Sequence, residues 1–204
     1  MTLPLHHPFT ALVVGPTGCG RKRFAFKLIE NADVMTDPSP RRILYCYGEC
    51  QQLFDKYPRV DFRQGLPDLQ DFNGSEPVLL VIDDHIDETD ESVFSLFTKG
   101  SHHRNVSVVF LVQNLFHKNK HVRTISLNSH YMVLFKNTRG ESQFPSLARR
   151  MYLNRSAFAV EAYKDATQQP YSYLFVDLRP EQDEYLRLRT DIFPNETRYI
   201  YVPK

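Results

Sequence analysis

The sequence predicts an α/β fold with a mostly parallel central sheet flanked by helices, and three observations carry that prediction. Uninterrupted apolar runs such as VLLVI and VSVVFLV recur along the chain, as in strands covered on both faces. Segments with apolar residues at helical spacing separate these runs. The first run, TALVV, leads directly into a glycine-rich turn that opens a helix.

Taken in order, Thr10 to Val14 is a short β-branched strand, followed by the glycine turn and the amphipathic segment RKRFAFKLIENA. There Phe24 and Leu28, and Ala25 and Ile29, recur one helical turn apart. Arg42 to Gly48 reads as the second strand and CQQLFDKY as a short helix. Pro77 to Asp84 is a buried strand ending in acids. ESVFSLFTKG is a helix stopped by Gly100. Val106 to Asn114 and His130 to Asn137 are two further buried strands. PSLARRMY is helical with Pro145 in its first turn, where a missing N–H does no harm. Ser156 to Ala166 is a clearer helix, and Tyr171 to Leu178 the last strand. The expected organisation is one domain over residues 1–204, with 178–204 a charged, proline-punctuated tail packing on the core.

Composition bounds the function. Fifteen Phe, eleven Tyr and 42% hydrophobic residues are ample for a core and argue against disorder. No apolar run approaches the ~20 residues needed to cross a bilayer, so no membrane partner is expected. The three cysteines, Cys19, Cys46 and Cys50, are too few for a disulfide framework and suit a reducing compartment. An intracellular protein, not a secreted one, is the expectation.

The turn GPTGCGRK spans Gly15, Pro16, Thr17, Gly18, Cys19, Gly20, Arg21 and Lys22. Its glycines match the phosphate loop G-x-x-x-x-G-K-[ST], whose backbone N–H groups wrap nucleotide phosphates while the Lys reaches the β/γ-phosphates and the hydroxyl holds Mg²⁺. Position after a strand and before a helix supports the match; the alternative is a strand-to-helix turn with no ligand. Two residues depart from the pattern. Arg21 keeps the charge on a longer, planar fork. Lys22 removes the hydroxyl and puts a cation where Mg²⁺ should sit. Three consecutive cations, Arg21, Lys22 and Arg23, oppose the helix dipole unless an anion lies at the terminus.

Asp83, at the end of VLLVI, is the candidate metal-binding acid, with Asp84 beside it as the candidate catalytic acid. Gln113, at the end of VSVVFLV, is a candidate sensor of phosphate or water. An ordinary strand end is the alternative for each; the glycine loop upstream weakens it for Asp83, while a Gln at a strand end is by itself more often just a loop start. Residues 83–91 hold six acids, whereas Lys99 to Gly140 contains none and carries five of the eight histidines. That segment suggests contact with a polyanion, through Lys118, Lys120 and Arg123, or else a solvated basic face. The pairs His117/His121 and Cys46/Cys50 have metal-ligand spacing but no local completion.

The combination of GPTGCG before a helix, VLLVIDD, LFTKGSHHRNVSVVFLVQNLF, RTISLNSHYMVLFKNTRG and SLARRMY resembles the DNA-packaging ATPases of Maverick/Polinton elements and adintovirus-like viruses. These belong to the FtsK/HerA branch of P-loop ATPases, with the poxvirus-type packaging enzymes. The resemblance runs from about Phe9 to about Asp177 and is strongest in the SHHRN…QN…NSHYMVLFKN block. It implies a RecA-like core, a homo-oligomeric ring, ATP and Mg²⁺ as cofactors, double-stranded DNA as partner, and a capsid protein as a further one, in the nucleus or cytoplasm of a host. By position it implies Arg21 as the phosphate contact, Asp83 as the Mg²⁺ acid, Asp84 as the catalytic acid and Gln113 as the sensor. Arg104 and Arg139 are candidates for an arginine supplied to a neighbour's site. The chain departs from the family at Arg21 and Lys22, and reads KNTRG where KNPRD is usual.

Two functions from different classes follow. One is a genome-translocating packaging ATPase with a degenerate phosphate loop; the other is a catalytically inactive module that binds nucleic acid or joins an assembly. A small-molecule kinase is a third, but no lid-like arginine segment supports it.

Overall fold

Apolar and β-branched runs build the strands, and their polar ends set where chemistry can occur. The computed structural model describes residues 3–48, 56–83, 91–115, 120–138, 140, 143–152 and 154–203. Its strands are β1 (Leu5–His6), β2 (Thr10–Val14), β3 (Thr36–Asp37), β4 (Arg42–Tyr47), β5 (Val60–Gln64), β6 (Val78–Ile82), β7 (Val106–Val112), β8 (Tyr131–Phe135), β9 (Tyr173–Asp177), β10 (Leu188–Thr190) and β11 (Tyr199–Tyr201). The first and third pair with each other; the remaining nine form one sheet in the order β11-β10-β9-β8-β2-β7-β6-β4-β5. From β8 to β5 all neighbours are parallel.

Helices cover both faces. Leu12, Val14, Leu80, Ile82, Val108 and Phe110 face one side, where α5 (Lys120–Leu127), α6 (Gln143–Met151) and α7 (Ser156–Ala166) pack. Ala11, Val13, Leu79, Val81, Val109 and Leu111 face the other, under α1 (Arg21–Glu30) and α2 (Ala32–Met35). Double coverage is why these strands read as continuous apolar runs. Phe24 of α1 docks edge-on against Tyr173 at 5.0 Å, and Phe26 stacks on Tyr45 at 5.2 Å.

The six strands expected from sequence are all present in the sheet, Thr10–Val14 with the bounds expected and the other five trimmed at one or both ends. The helix expected to stop at Gly100 does not: α3 (Glu91–Ser95) widens into a π-type turn over Leu96–Gly100 and continues as α4 (Ser101–His103). Burial of Phe97 and Ser101 against the core outweighs the local preference of glycine to end a helix. The short helix expected in CQQLFDKY lies almost wholly outside the described residues. Two helices, α6 and α7, join β8 to β9, as the sequence led one to expect. They return the chain to the end of β8 it left, so β9 runs antiparallel with Phe135 opposite Tyr173.

The tail beyond β9 supplies β10 and β11, both antiparallel. Its charges are used inside the fold. Asp177, fully buried, accepts two hydrogen bonds from Arg179, at Nε (3.0 Å) and Nη2 (2.9 Å), and a third from Arg189 Nη2 (3.0 Å). Removing the carboxylate leaves two buried guanidinium groups without it, a loss of about 3–5 kcal/mol. Asp177→Asn should lower unfolding free energy by that amount in chemical denaturation.

The entry to β2 is held by His7. His7 Nε2 faces two acceptors, Asn105 Oδ1 (2.9 Å) and Asn105 O (3.2 Å), and so carries the proton. That leaves Nδ1 to accept from Ser107 Oγ (2.5 Å) while that oxygen accepts from the Phe9 amide (3.1 Å). This network holds the neutral imidazole, and burial lowers its pKa from the ordinary 6.5 against the pull of Asn105. A histidine with a depressed folded pKa contributes stability above the unfolded pKa and loses it as pH falls through 6.5. Melting temperature should therefore drop on acidification below pH 6.5, and His7→Gln should shrink that drop.

Candidate functional site

The parallel strands deliver their C-terminal ends to one edge of the sheet. Gly15 follows β2, Asp83 follows β6, Gln113 follows β7 and Lys136 follows β8. β7 lies between β2 and β6, with Val14 opposite Val112 and Ile82 opposite Phe110. The acid-ended strand is therefore one strand removed from the glycine loop, and Gln113 emerges between them.

The loop's shape depends on its glycines. The Gly15 N–H donates to Val112 O at 3.1 Å, tying the loop to β7. A Cβ at Gly15 would lie 2.5 Å from Cys19 Sγ and 2.7 Å from Phe135 Cβ, closer than atoms can pack. Gly20 has φ 114° and caps α1 in a left-handed conformation without any side-chain cap, a geometry other residues adopt only with strain. The first turn of α1 holds no acid and Gly20 offers no side-chain cap, so the positive end of the helix dipole stands beside three cations with no carboxylate of its own turn to offset it.

Those cations take different positions. Arg21 is 8% exposed and interacts with the Cys19 thiol, whose pKa is pushed up by burial against the pull of the guanidinium. Arg23 reaches over the ring of Tyr171, its guanidinium carbon 5.5 Å from the centroid. Lys22 turns to the sheet edge, where Nζ lies 2.8 Å from Asp83 Oδ2. The same oxygen accepts from the Tyr45 hydroxyl at 3.2 Å. Asp83 is 2% exposed and the Lys22 side chain one-third exposed (33%), so a buried carboxylate is paired with a side chain that reaches it from the surface.

Gln113 is exposed. The neighbouring Asn114 is the amide that is tied in: its Oδ1 accepts from Asn137 Nδ2 and Gln143 Nε2, each at 3.4 Å, while Gln143 Oε1 accepts from the Leu115 amide at 3.1 Å. Two hollows flank Tyr171. One, of about 220 Å³, is lined by Gly20, Arg23, Phe24, Asp191 and Glu196. The other, of about 380 Å³, is lined by Gly18, Cys19, Lys136, Thr138 and Gln169. Tyr171 has φ 65° and is 56% exposed. Tyr45 and Tyr171 carried no sequence signal, because Tyr45 meets Asp83, and Tyr171 the loop and Arg23, only through the fold.

Among the sequence candidates, Gly15 to Lys22, Asp83 and Gln113 come together at this edge. Thr17 is exposed and Pro16 half-buried within the loop. Arg104 precedes β7, at the opposite edge of the sheet, and donates to Phe72 O at 3.3 Å; it cannot reach the loop of its own chain. Lys120 and Arg123 fall in α5. Asp84, Lys118 and Arg139 lie outside the described residues, as do Cys50 and His117 of the two metal-spaced pairs. Among the described residues no group of three His, Cys, Asp or Glu could hold a metal ion, and no helix is long and apolar enough to cross a membrane.

No protein-family model matches the sequence, and no curated protein does. Solved structures do. The genome packaging NTPase B204 from Sulfolobus turreted icosahedral virus 2, in complex with AMPPCP, aligns over 97% of this chain and 98% of its own, at 14% identity and a TM-score of 0.50. The fold is that of a P-loop NTPase. The same protein in complex with ATP-gammaS aligns over 96% and 97%, at 14% identity and a TM-score of 0.49. The Legionella pneumophila ATPase DotB aligns over 62% of this chain and 40% of its own, at 14% identity and a TM-score of 0.42.

P-loop folds imply Mg²⁺, held between the hydroxyl that follows the loop lysine and an acid of the β6 position. The residues present do not fit it. Lys22 supplies no metal ligand while charged, and its ammonium already occupies Asp83 Oδ2.

Gly15 gives the loop a direct test. Gly15→Ala should destabilise the protein by about 1–3 kcal/mol through overpacking, read from thermal or denaturant unfolding. Adding Cys19→Ala should recover only part of the loss, because Phe135 Cβ remains in the way.

Proposed function

We propose that this chain is a packaging-type P-loop ATPase that holds the phosphates of ATP in the loop Gly15 to Lys22 and acts on double-stranded DNA as a homo-oligomeric ring. The observation that carries the reading is the loop itself: a tight glycine turn, tied to β7, that opens the uncapped N-terminus of α1 between the ends of β6 and β8. Backbone N–H groups and three adjacent cations there suit a polyphosphate. Arg21 is the charge nearest the expected phosphate contact, and the hollows beside Tyr171 leave room for a base. Further support comes from the whole-length fold likeness to a genome packaging NTPase solved with an ATP analogue, and from the sequence resemblance to Maverick/Polinton packaging enzymes of the FtsK/HerA branch. In this reading Asp84 and Gln113 serve turnover, and Arg104 or Arg139 reaches a neighbour's site; Arg104, at the far edge of its own sheet, is positioned for such a role only in trans. The capsid is the further partner that packaging requires.

A specific observation favours a second reading, in which the chain binds nucleotide and joins an assembly without turning over. The Lys22–Asp83 pair occupies the place where hydrolysing relatives would put their metal.

The test is ATP hydrolysis with and without duplex DNA, by the natural chain and by Arg21→Lys/Lys22→Ser. DNA-stimulated turnover by the natural chain is the expected result for a motor; turnover only in the repaired variant assigns the chain to the second reading, and turnover in neither rejects the ATPase reading. Duplex binding should weaken steeply with salt, and Lys118→Ala/Lys120→Ala should reduce the slope of log K against log salt by roughly 0.9 for each phosphate that is no longer neutralised.

A further inference from the structure

We propose that the Lys22 ammonium takes the place of the divalent cation, so that this loop binds nucleoside triphosphate independently of metal. The inference rests on the reading of the loop as a nucleotide site and specifies how that site balances charge.

An ammonium carries three N–H donors. In Lys22 one is directed at Asp83 Oδ2, 2.8 Å away, and the side chain as a whole remains one-third exposed, which leaves two donors for other acceptors. It can thus bridge a buried carboxylate to a phosphate oxygen, the same connection that a metal makes between acid and phosphate. The bridge is anchored from behind by the Tyr45 hydroxyl, which fixes Asp83 Oδ2 from the β4 side, and by the Asp83 amide, which donates to Cys46 O at 3.0 Å. A dication placed against the same oxygen would meet the ammonium at close range in a half-buried setting, where like charges repel strongly.

The charge balance points the same way. A triphosphate without Mg²⁺ needs more positive charge from the protein than its metal complex does. The first turn of α1 provides it with Arg21, Lys22 and Arg23 in succession and no acid among them, beside the positive end of the helix dipole. Substituting lysine for the hydroxyl therefore does two things at once: it removes a metal ligand and supplies a tethered cation at the vacated position.

The experiment is titration of the full chain with a fluorescent ATP analogue, once in excess EDTA and once in Mg²⁺, with Mn²⁺ paramagnetic resonance as an independent readout of metal capture. The natural chain should bind equally in both buffers, within about twofold, and should not immobilise Mn²⁺ in the presence of nucleotide. Lys22→Ser should weaken binding in EDTA by about tenfold, the loss of one charge-assisted hydrogen bond, recover in Mg²⁺, and immobilise Mn²⁺. Lys22→Gln can still donate to Asp83, so it covers the case in which Lys22→Ser leaves the buried carboxylate unpaired and unfolds the chain; it too should lose about tenfold in EDTA. Binding by the natural chain that is tenfold or more tighter in Mg²⁺ overturns the inference and leaves the nucleotide site standing. Equal behaviour of the natural chain and both variants overturns the role of Lys22. No binding in either buffer rejects the nucleotide site itself, and the inference with it.

Discussion

A sheet covered on both faces has room along its strands only for polar side chains that are matched inside the fold, and that constraint organises this protein. β2, β6, β7 and β8 are buried at every residue. Polar groups that meet a ligand therefore belong where a strand ends, whereas those within strands, such as Ser107 and Arg189, are matched inside the fold. Because these strands are parallel, their C-terminal ends share one edge, and Gly15, Asp83, Gln113 and Lys136 collect there without any long-range design of individual contacts. The same logic makes that edge of an open α/β sheet the usual place for a ligand.

The insertion of β7 between β2 and β6 sets the scale of the site. An acid on the strand next to β2 would crowd the loop. One strand further away, Asp83 stands off, and a residue in the first turn of α1 can span the gap over β7. In this chain that residue is Lys22, long and flexible enough to cover the distance with an ammonium. A serine or threonine at the same position is too short to reach the acid and would leave a gap for an ion or water. The side chain's length, and not merely its charge, is what lets protein substitute for metal here.

Much of this was legible in the sequence. The buried strands declared themselves as apolar runs, the glycine turn sat between strand and helix, and Asp83 lay at a strand end where an acidic stretch begins. What escaped notice had physical reasons. β5 exposes Asp61, Arg63 and Gln64 at the sheet margin, so it lacks the apolar run that marked its neighbours. β10 is entirely buried but contains Arg189, whose charge is matched by Asp177 across the sheet; sequence pattern reads such a residue as surface. Gly100 reads as a helix end because local preference is visible and the packing of Phe97 and Ser101 is not. At the site, the sequence singled out Gln113, whereas the amide built into the hydrogen-bond network is Asn114, held by Asn137 and Gln143 from later elements.

The pairing of Lys22 with Asp83 is also where sequence and structure say different things about the same substitution. Read along the chain, lysine in place of a hydroxyl is a defect in a known motif. Read in three dimensions, it is one half of an interaction whose other half, Asp83, is a buried carboxylate that needs a cation to offset its charge. An uncompensated buried charge is among the more destabilising things a fold can contain. An acid left without its ion must stay hydrated to be tolerated. Here Asp83 is 2% exposed and sits behind Tyr45, too enclosed to be left waiting. The buried acid and the lysine are therefore mutually required, and a chain that had merely lost its hydroxyl to drift would have had no reason to arrive at a residue that reaches the acid and neutralises it.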